Sequence, residues 1–353
     1  MDRHNFIISP DDRILVTGAA GFIGPRLVRQ LLEYGFRNLR CFMRSSRDPE
    51  RLELLSHCGV GAHLEFIYGN LLSREDCATA CKYVSIVFHL AAGRGEKSYP
   101  DAVLNSVITT RNLLSASAQS TKLVRFVNVS SFAVYSNRSK KNGSLLDESC
   151  PIEEHPESRG EAYCFAKVKQ EEVVREYGER LGVPYVIVRP GVVYGPGNEP
   201  ISGRVGTGTF GMFLHLGGGN TIPLTYVDNC ADAIALAGVT KGIDGEVFNV
   251  VDDSLPSSRR FLRLYKQQVK QFRSIYIPHV ISYILCHCWE RYSSWSDGQL
   301  PPVFTRARWY ANWKRTTYTN RKAKELLGWS PKISTRVGLE RYFSACRKKE
   351  RHA

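Results

Sequence analysis

The sequence predicts an α/β fold: a doubly wound parallel sheet followed by a smaller, mostly helical C-terminal region. Three observations carry that expectation. Short Val/Ile/Leu-rich runs alternate with helix-period segments up to about residue 250, the pattern of repeated βαβ units. A glycine-rich turn, Thr17-Gly18-Ala19-Ala20-Gly21-Phe22-Ile23-Gly24, sits between the first such run and the first helical segment. Past about residue 254 the rhythm gives way to an aromatic-rich, basic and mostly helical stretch.

Taken in order, Arg13–Thr17 reads as a buried strand, and Ile23–Tyr34, apolar at 23, 27, 28, 31 and 32, as a one-faced helix. Leu39–Met43 and Leu64–Tyr68 are the second and third strands. A helix from about Arg74 to Tyr83 precedes the fourth strand, Ser85–Leu90, and a long helix from about Asp101 to Gln119 leads to the fifth, Leu123–Val129. Ser136–Gly160 is polar, with Pro151 and Pro156, and reads as loop; Gly160–Leu181 is helical and Tyr185–Arg189 the sixth strand. Strands this uniformly apolar suit a parallel sheet covered on both faces. Residues 195–219 hold nine glycines and read as a mobile loop outside the core. Tyr226–Gly238 is a helix and Glu246–Val250 a further strand.

Composition narrows the class. At 353 residues, 43% hydrophobic and 23% charged, the chain is neither disordered nor fibrous, and is long enough to bury a core without disulfides or metal staples. The formal charge of +14 is segregated: residues 259–353 hold 21 basic and 5 acidic side chains (+16), the remainder 27 and 29 (−2). Such a field suits an anionic partner, whether phosphorylated substrate, membrane surface or nucleic acid, or simply a solvated face. No recognition motif accompanies the charge, so specific nucleic-acid binding is not expected. Ten scattered cysteines without a CxxC pair, and an N-terminus without an apolar leader, read as free thiols in the cytoplasm. The most apolar run, Ile275–Trp289, is too short and interrupted to span a bilayer; it reads as a buried or interfacial helix, giving peripheral membrane contact through the basic C-terminal region as one option.

The turn at Thr17–Gly24 is built for a pyrophosphate: glycines allow a tight turn and close backbone approach, and the following helix offers its N-terminus. Its G-x-x-G-x-x-G spacing resembles the TGxxGxxG fingerprint of the extended short-chain dehydrogenase/reductase family, a Rossmann-type fold. Further motifs follow in order. Gly69-Asn70-Leu71 resembles the family's G-D-L segment beside the adenine, with Asn70 in place of aspartate, and His89-Leu90-Ala91-Ala92-Gly93 resembles its HLAA segment. The resemblance implies a dinucleotide held by Gly18, Ala20, Gly21, Phe22, Ile23, Gly24, Arg44, Asn70, Leu71, Ala91, Ala92, Tyr163, Lys167 and Pro190. His89 itself reads as packed structure rather than a proton donor. Cys41-Phe42-Met43-Arg44 ends the second strand without an acid before Asp48; Arg44, assisted by Arg47, suits a 2′-phosphate, which favours NADP(H) over NAD(H).

Tyr163-Cys164-Phe165-Ala166-Lys167 places a phenol and an ammonium one helical turn apart on one face, where the cation favours the phenolate and tunes it for proton transfer. Ser131, in Val129-Ser130-Ser131-Phe132-Ala133-Val134-Tyr135, lies at the carboxyl edge of the fifth strand; aligned on Val134-Tyr135, the family's substrate-oxygen ligand is Ser131 rather than Ser130. Asn105 resembles the family's asparagine that supports the lysine through water. The resemblance thus implies hydride transfer between nicotinamide and a substrate carbon, with Tyr163 as acid/base.

Substrate class stays open among three readings. The Asp-Glu pair of the family's dehydratases is replaced by Phe132-Ala133, while Arg189-Pro190-Gly191 and Tyr226-Val227-Asp228-Asn229 look more like the hydroxysteroid-dehydrogenase type, a secondary-alcohol/ketone oxidoreductase. The aromatic Ile275–Trp295 stretch would wall an apolar substrate. A nucleotide-sugar epimerase or reductase would instead need a diphosphate clamp, for which Arg306, Arg308, Lys314 and Arg315 are available. A non-catalytic NADP(H) sensor is the third. Residues 1–190 plus about 224–252 form the expected coenzyme-binding domain, and about 191–223 plus 253–353 the substrate domain. The family implies a homodimer through the helices at 101–119 and 160–181.

Overall fold

The computed structural model describes residues 6–44, 62–92, 98–198, 201–209, 211–296, 299–300 and 304–352. Strand β1 (Ile14–Thr17) leads into helix α1 (Gly24–Glu33), followed by β2 (Asn38–Met43), β3 (His63–Tyr68), α2 (Arg74–Cys81) and β4 (Ile86–His89). Next come a short helix α3 (Tyr99–Ala102), a π-helical segment Val103–Ile108 and α4 (Thr109–Ala118), which run on without interruption. Strand β5 (Arg125–Val129), helix α5 (Ala162–Leu181) and β6 (Tyr185–Pro190) complete the regular series. After β7 (Val192–Tyr194), β8 (Gly206–Thr209), β9 (Met212–His215), β10 (Leu224–Tyr226) and α6 (Val227–Val239), strand β11 (Val247–Val250) closes the sheet.

The main sheet has seven strands in the order β11-β6-β5-β4-β1-β2-β3, all parallel. The order reverses beside β1 and β4, which opens a crevice at their carboxyl ends. Strand residues alternate between two apolar layers. Ile14 and Val16 pack with Val28 and Leu31 of α1 and Ile234 of α6. Leu15 and Val87 pack on the other side with Leu113 and Leu114 of α4 and Val173 and Val174 of α5. Both faces are therefore dry, which explains the continuous apolar runs. Helix α2 stops two residues short of the sequence expectation, because Lys82 is already extended and Tyr83 is left-handed at φ 59°.

Two expectations are corrected in the C-terminal region. The glycine-rich stretch 195–219 is not merely loop: β8 and β9 form an antiparallel hairpin, and Val205 is fully buried. Gly206 is there for space, since a Cβ would lie 2.0 Å from the Leu214 carbonyl oxygen of the paired strand. The stretch from Ile275 does not begin as helix. Strand β12 (Ser274–Tyr276) pairs in parallel with β9 and precedes α8 (His279–Trp295). Within the expected loop 136–160, Leu145–Leu146 pairs with Thr317–Tyr318. Helices α7 (Ser258–Gln268), α9 (Arg306–Asn312), α10 (Arg321–Leu327) and α11 (Thr335–His352) supply the rest. Tyr194, Tyr226, Phe261, Tyr265, Tyr342 and Phe343 form a separate aromatic core there.

Candidate active site

Three glycines shape the turn after β1. Gly18 has φ +70°, and a Cβ there would sit 2.9 Å from the Ala91 backbone nitrogen. Gly21 donates its N–H to the Gly18 carbonyl at 2.9 Å, closing the turn. At Gly24 a Cβ would lie 2.3 Å from the Ala19 carbonyl oxygen, so only glycine lets α1 start this close to β1. Helix α1 has no capping side chain and no acidic residue in its first turn, with a proline among its first residues. Its positive end therefore faces the crevice without a protein anion of its own.

This turn forms one wall of a cleft of about 620 Å³ that gathers Ser131, Tyr163, Lys167 and Asn105 with the coenzyme-binding residues from Gly18 to Pro190 that the sequence resemblance implies. Gly18, Ala20, Gly21, Phe22, Ile23 and Gly24 line one end; Arg44, Asn70 and Leu71 line the ends of β2 and β3; Ala91, Ala92, Asn105 and Pro190 lie along it, with Ser131, Tyr163 and Lys167. Arg44 is exposed. Arg47, Asp48 and Gly93 lie outside the described residues. Asn70 is more engaged than its sequence suggests: its Oδ1 accepts the Leu72 N–H at 3.0 Å, and its own N–H donates to Asp76 at 2.7 Å. The backbone cradle fits a pyrophosphate, because the turn glycines and the N-terminal end of α1, which has no side-chain cap and no acidic residue in its first turn, line the cleft.

Tyr163 and Lys167 stand one turn apart on α5. The phenol is 43% exposed, whereas Lys167 is buried. Lys167 Nζ donates to the Val129 carbonyl at 2.8 Å and to Gln170 Oε1 at 2.9 Å, which fixes the ammonium at the end of β5. Ser131 Oγ accepts the Ala133 N–H at 3.2 Å as cap of the short 3₁₀ turn Phe132–Val134, an arrangement that leaves its O–H to donate. Ser130 also lines the cleft; its Oγ is sealed and has no hydrogen-bond partner among the described residues. Asn105 lies in the π-helical segment, its Nδ2 donating to the Asp101 carbonyl at 3.0 Å. Such widened turns re-aim a side chain within an otherwise regular helix.

A buried polar chain that the sequence did not reveal joins the ammonium to the turn. Gln170 Nε2 donates to Thr110 Oγ1 at 2.8 Å, and Thr110 gives its own proton to the Ser106 carbonyl at 2.6 Å. His89 Nε2, 2.9 Å from Thr110, is then the donor of that contact, and His89 Nδ1 accepts from Thr17 Oγ1 at 2.8 Å. Thr17 Oγ1 in turn accepts the Ala91 N–H at 3.3 Å. Burial, and secondarily the Lys167 charge, push His89 down to about 3, so it is neutral and structural, not a proton donor. Gln170, at i+3 from Lys167, was the one member with a positional signal. Asn198, which donates to the Val193 carbonyl at 2.7 Å, and Thr109 are further polar residues on the cleft missed by sequence reasoning.

The proposed diphosphate clamp does not assemble. Arg306 is paired with Glu290 at 2.6 Å and Arg308 with Glu161 at 2.9 Å, while Lys314 bonds the Asn137 carbonyl at 2.8 Å. None of these, nor Arg315, lines the cleft. Arg189 is likewise structural: it is buried in a two-pronged pair with Glu171 at 2.8 and 2.5 Å.

The NAD dependent epimerase/dehydratase family model matches residues 14–250. Cinnamoyl-CoA reductase 1 of Oryza sativa subsp. japonica is 31% identical over 185 residues, 52% of this chain and 54% of that protein. The 3beta-hydroxysteroid-dehydrogenase/decarboxylase isoform 1 of Arabidopsis thaliana is 23% identical over 361 aligned positions, covering 93% of this chain and 78% of its own length. The chain spans about half the length of the curated relatives it matches first. Among solved structures, UDP-glucuronic acid 4-epimerase from Bacillus cereus, in complex with UDP-glucuronic acid and NAD, superposes with a TM-score of 0.71 at 23% identity over 96% of this chain and 99% of its own, a likeness of fold. The glycine turn, the Tyr163–Lys167 helix and all seven strands of the parallel sheet fall inside the matched span, and the chain belongs to the NAD-dependent epimerase/dehydratase family, an extended branch of the short-chain dehydrogenase/reductases.

Proposed function

We propose that the protein is an NADP(H)-dependent oxidoreductase that interconverts a secondary alcohol and a ketone on an apolar, hydroxysteroid-like substrate. The observation that carries this reading is the convergence of the Tyr163 phenol, the Lys167 ammonium and the Ser131 hydroxyl on the same cleft as the glycine cradle. The coenzyme, when bound, exchanges a hydride with the substrate carbon. Tyr163 takes the proton of the alcohol as that carbon is oxidised and returns it on reduction. Ser131 donates to the same substrate oxygen, held in place by the Ala133 N–H on its own oxygen. Lys167, pinned by Val129 and Gln170, stabilises negative charge on the phenolic oxygen one helical turn away.

Two observations support the finer assignments. The exposed guanidinium of Arg44 at the cleft suits a 2′-phosphate. The engagement of Arg306, Arg308 and Lys314 elsewhere favours an apolar substrate over a nucleotide diphosphate. Tyr163→Phe is expected to lower kcat by about 10²–10⁴-fold while leaving the coenzyme Kd within a few-fold; near-wild-type turnover would remove Tyr163 from the mechanism. Coenzyme-linked assays with sterols and lipid ketones against UDP- and GDP-sugars decide the substrate class. Turnover of the nucleotide sugars alone would reject the apolar reading. Arg44→Ala should weaken NADPH by about tenfold, with NADH little changed, as measured by fluorescence titration.

A further inference from the structure

Helix α8 carries a stripe of exposed apolar side chains that nothing among the described residues covers. Val280, Ile281, Ile284, Leu285, Tyr292 and Trp295 recur at spacings that share one face, and Val280 and Trp295 are 72% and 77% exposed. The stripe continues backward into β12, where Ile275 and Tyr276 are also exposed. Its opposite face is seated: Ser282, Cys286 and Ser293 are buried. Along one edge the stripe opens on an apolar cavity of about 380 Å³, where Leu285 and Tyr292 meet Leu214, Leu216 and Trp313.

A basic rim borders this surface. The Arg259 guanidinium lies 5.3 Å from the Tyr276 ring, and Lys266 Nζ donates to Ser274 at 2.6 Å, so the basic face of α7 abuts β12. Arg259, Arg263 and Arg273 are exposed, and Arg291 projects from α8 itself. No helix among the described residues is long and apolar enough to cross a membrane. The surface is thus apolar in the middle, aromatic at its ends and cationic around them, the composition of a helix that lies in a bilayer interface.

We propose that the protein docks peripherally on an anionic lipid bilayer through α8 and β12, with the stripe seated among the upper acyl chains and the α7 arginines on headgroup phosphates. Charge selects this occupant over the others. A second copy placed on the stripe by a two-fold axis would bring two strongly basic regions together. A nucleic acid would have nothing to set against the apolar centre. The reading is independent of the coenzyme chemistry, because neither α8 nor β12 contributes to the coenzyme cleft.

The test is sedimentation of the full chain with sucrose-loaded vesicles of phosphatidylcholine alone, or of phosphatidylcholine with phosphatidylglycerol. Binding is expected to the anionic vesicles, at least tenfold above the neutral ones, and to fall as salt is raised. Ile281→Glu/Ile284→Glu should abolish it, and Arg259→Glu/Arg263→Glu should weaken it at least tenfold, both with unchanged coenzyme titration as the control for folding. Failure of the wild type to pellet would overturn the proposal, as would equal pelleting of wild type and the double-glutamate variant. So would a dimer, seen by light scattering, that dissociates in that variant, since a second copy would then cover the stripe.

Discussion

His89 illustrates how a residue that looks catalytic becomes structural. Both ring nitrogens are spoken for by threonine hydroxyls, and burial holds the ring neutral far below its ordinary value of 6.5. In the unfolded chain the imidazole binds a proton near pH 6.5, while in the folded state it does so only near pH 3. The group therefore favours folding fully above pH 6.5, and that contribution is lost as pH falls toward 3. Urea midpoints measured across this range should fall with acidification, and His89→Gln should flatten the slope; an unchanged slope would show that another group carries it. Ser130 and Ser131 show the opposite limit of the sequence: both line the cleft just past β5, yet the Ser130 Oγ is sealed whereas the Ser131 Oγ caps the turn at Ala133, a difference that only the backbone path decides.

Among elements, the pairing of α5 with β6 has the clearest energetic consequence. Glu171 and Arg189 are both buried and matched prong to prong, with Arg189 also 4.7 Å from the Tyr135 ring centre. Removing one partner leaves a buried charge uncompensated, so Glu171→Gln should cost about 3–5 kcal/mol in chemical unfolding. A loss below about 1 kcal/mol would mean that water reaches the site in the folded state. The sheet strands and α1, α4, α5 and α6 were legible because their periodicity is set by faces that must be buried. The β8–β9 hairpin was not, because glycine content gives the same signal whether a glycine serves a loose loop or, as at Gly206, a close approach between strands. Strand β12 was hidden for a related reason: Ile275–Trp295 is apolar throughout, and an apolar run alone does not separate strand from helix.

Across the whole molecule, the sheet and the C-terminal aromatic core meet around Asp252. Its carboxylate accepts from the Tyr194 hydroxyl at 3.2 Å, the Asn229 amide at 2.9 Å and the Tyr226 N–H at 3.0 Å. Burial outweighs these donors and pushes it up to about 6 from an ordinary 3.8. Between those values the folded state binds the extra proton, so this group's contribution is present at low pH and is lost as pH rises through about 6, opposite in sign to His89. Asp252→Asn should therefore steepen the rise in stability between pH 4 and 6, read by the same unfolding series. No change in that slope would place the titration elsewhere.

By itself the sequence determined the sheet, the coenzyme turn and the Tyr163–Lys167 pair, because each is a local pattern: alternation for strands, glycine spacing for a tight turn, four residues for one helical turn. Only the tertiary structure decided that Arg306, Arg308 and Lys314 are committed to Glu290, Glu161 and a main-chain carbonyl, that Gln170 and Thr110 link Lys167 to His89, and which face of α8 is left bare. Those outcomes depend on contacts between residues far apart in the chain, and a side chain's charge or apolarity does not reveal which distant partner folding will bring to it.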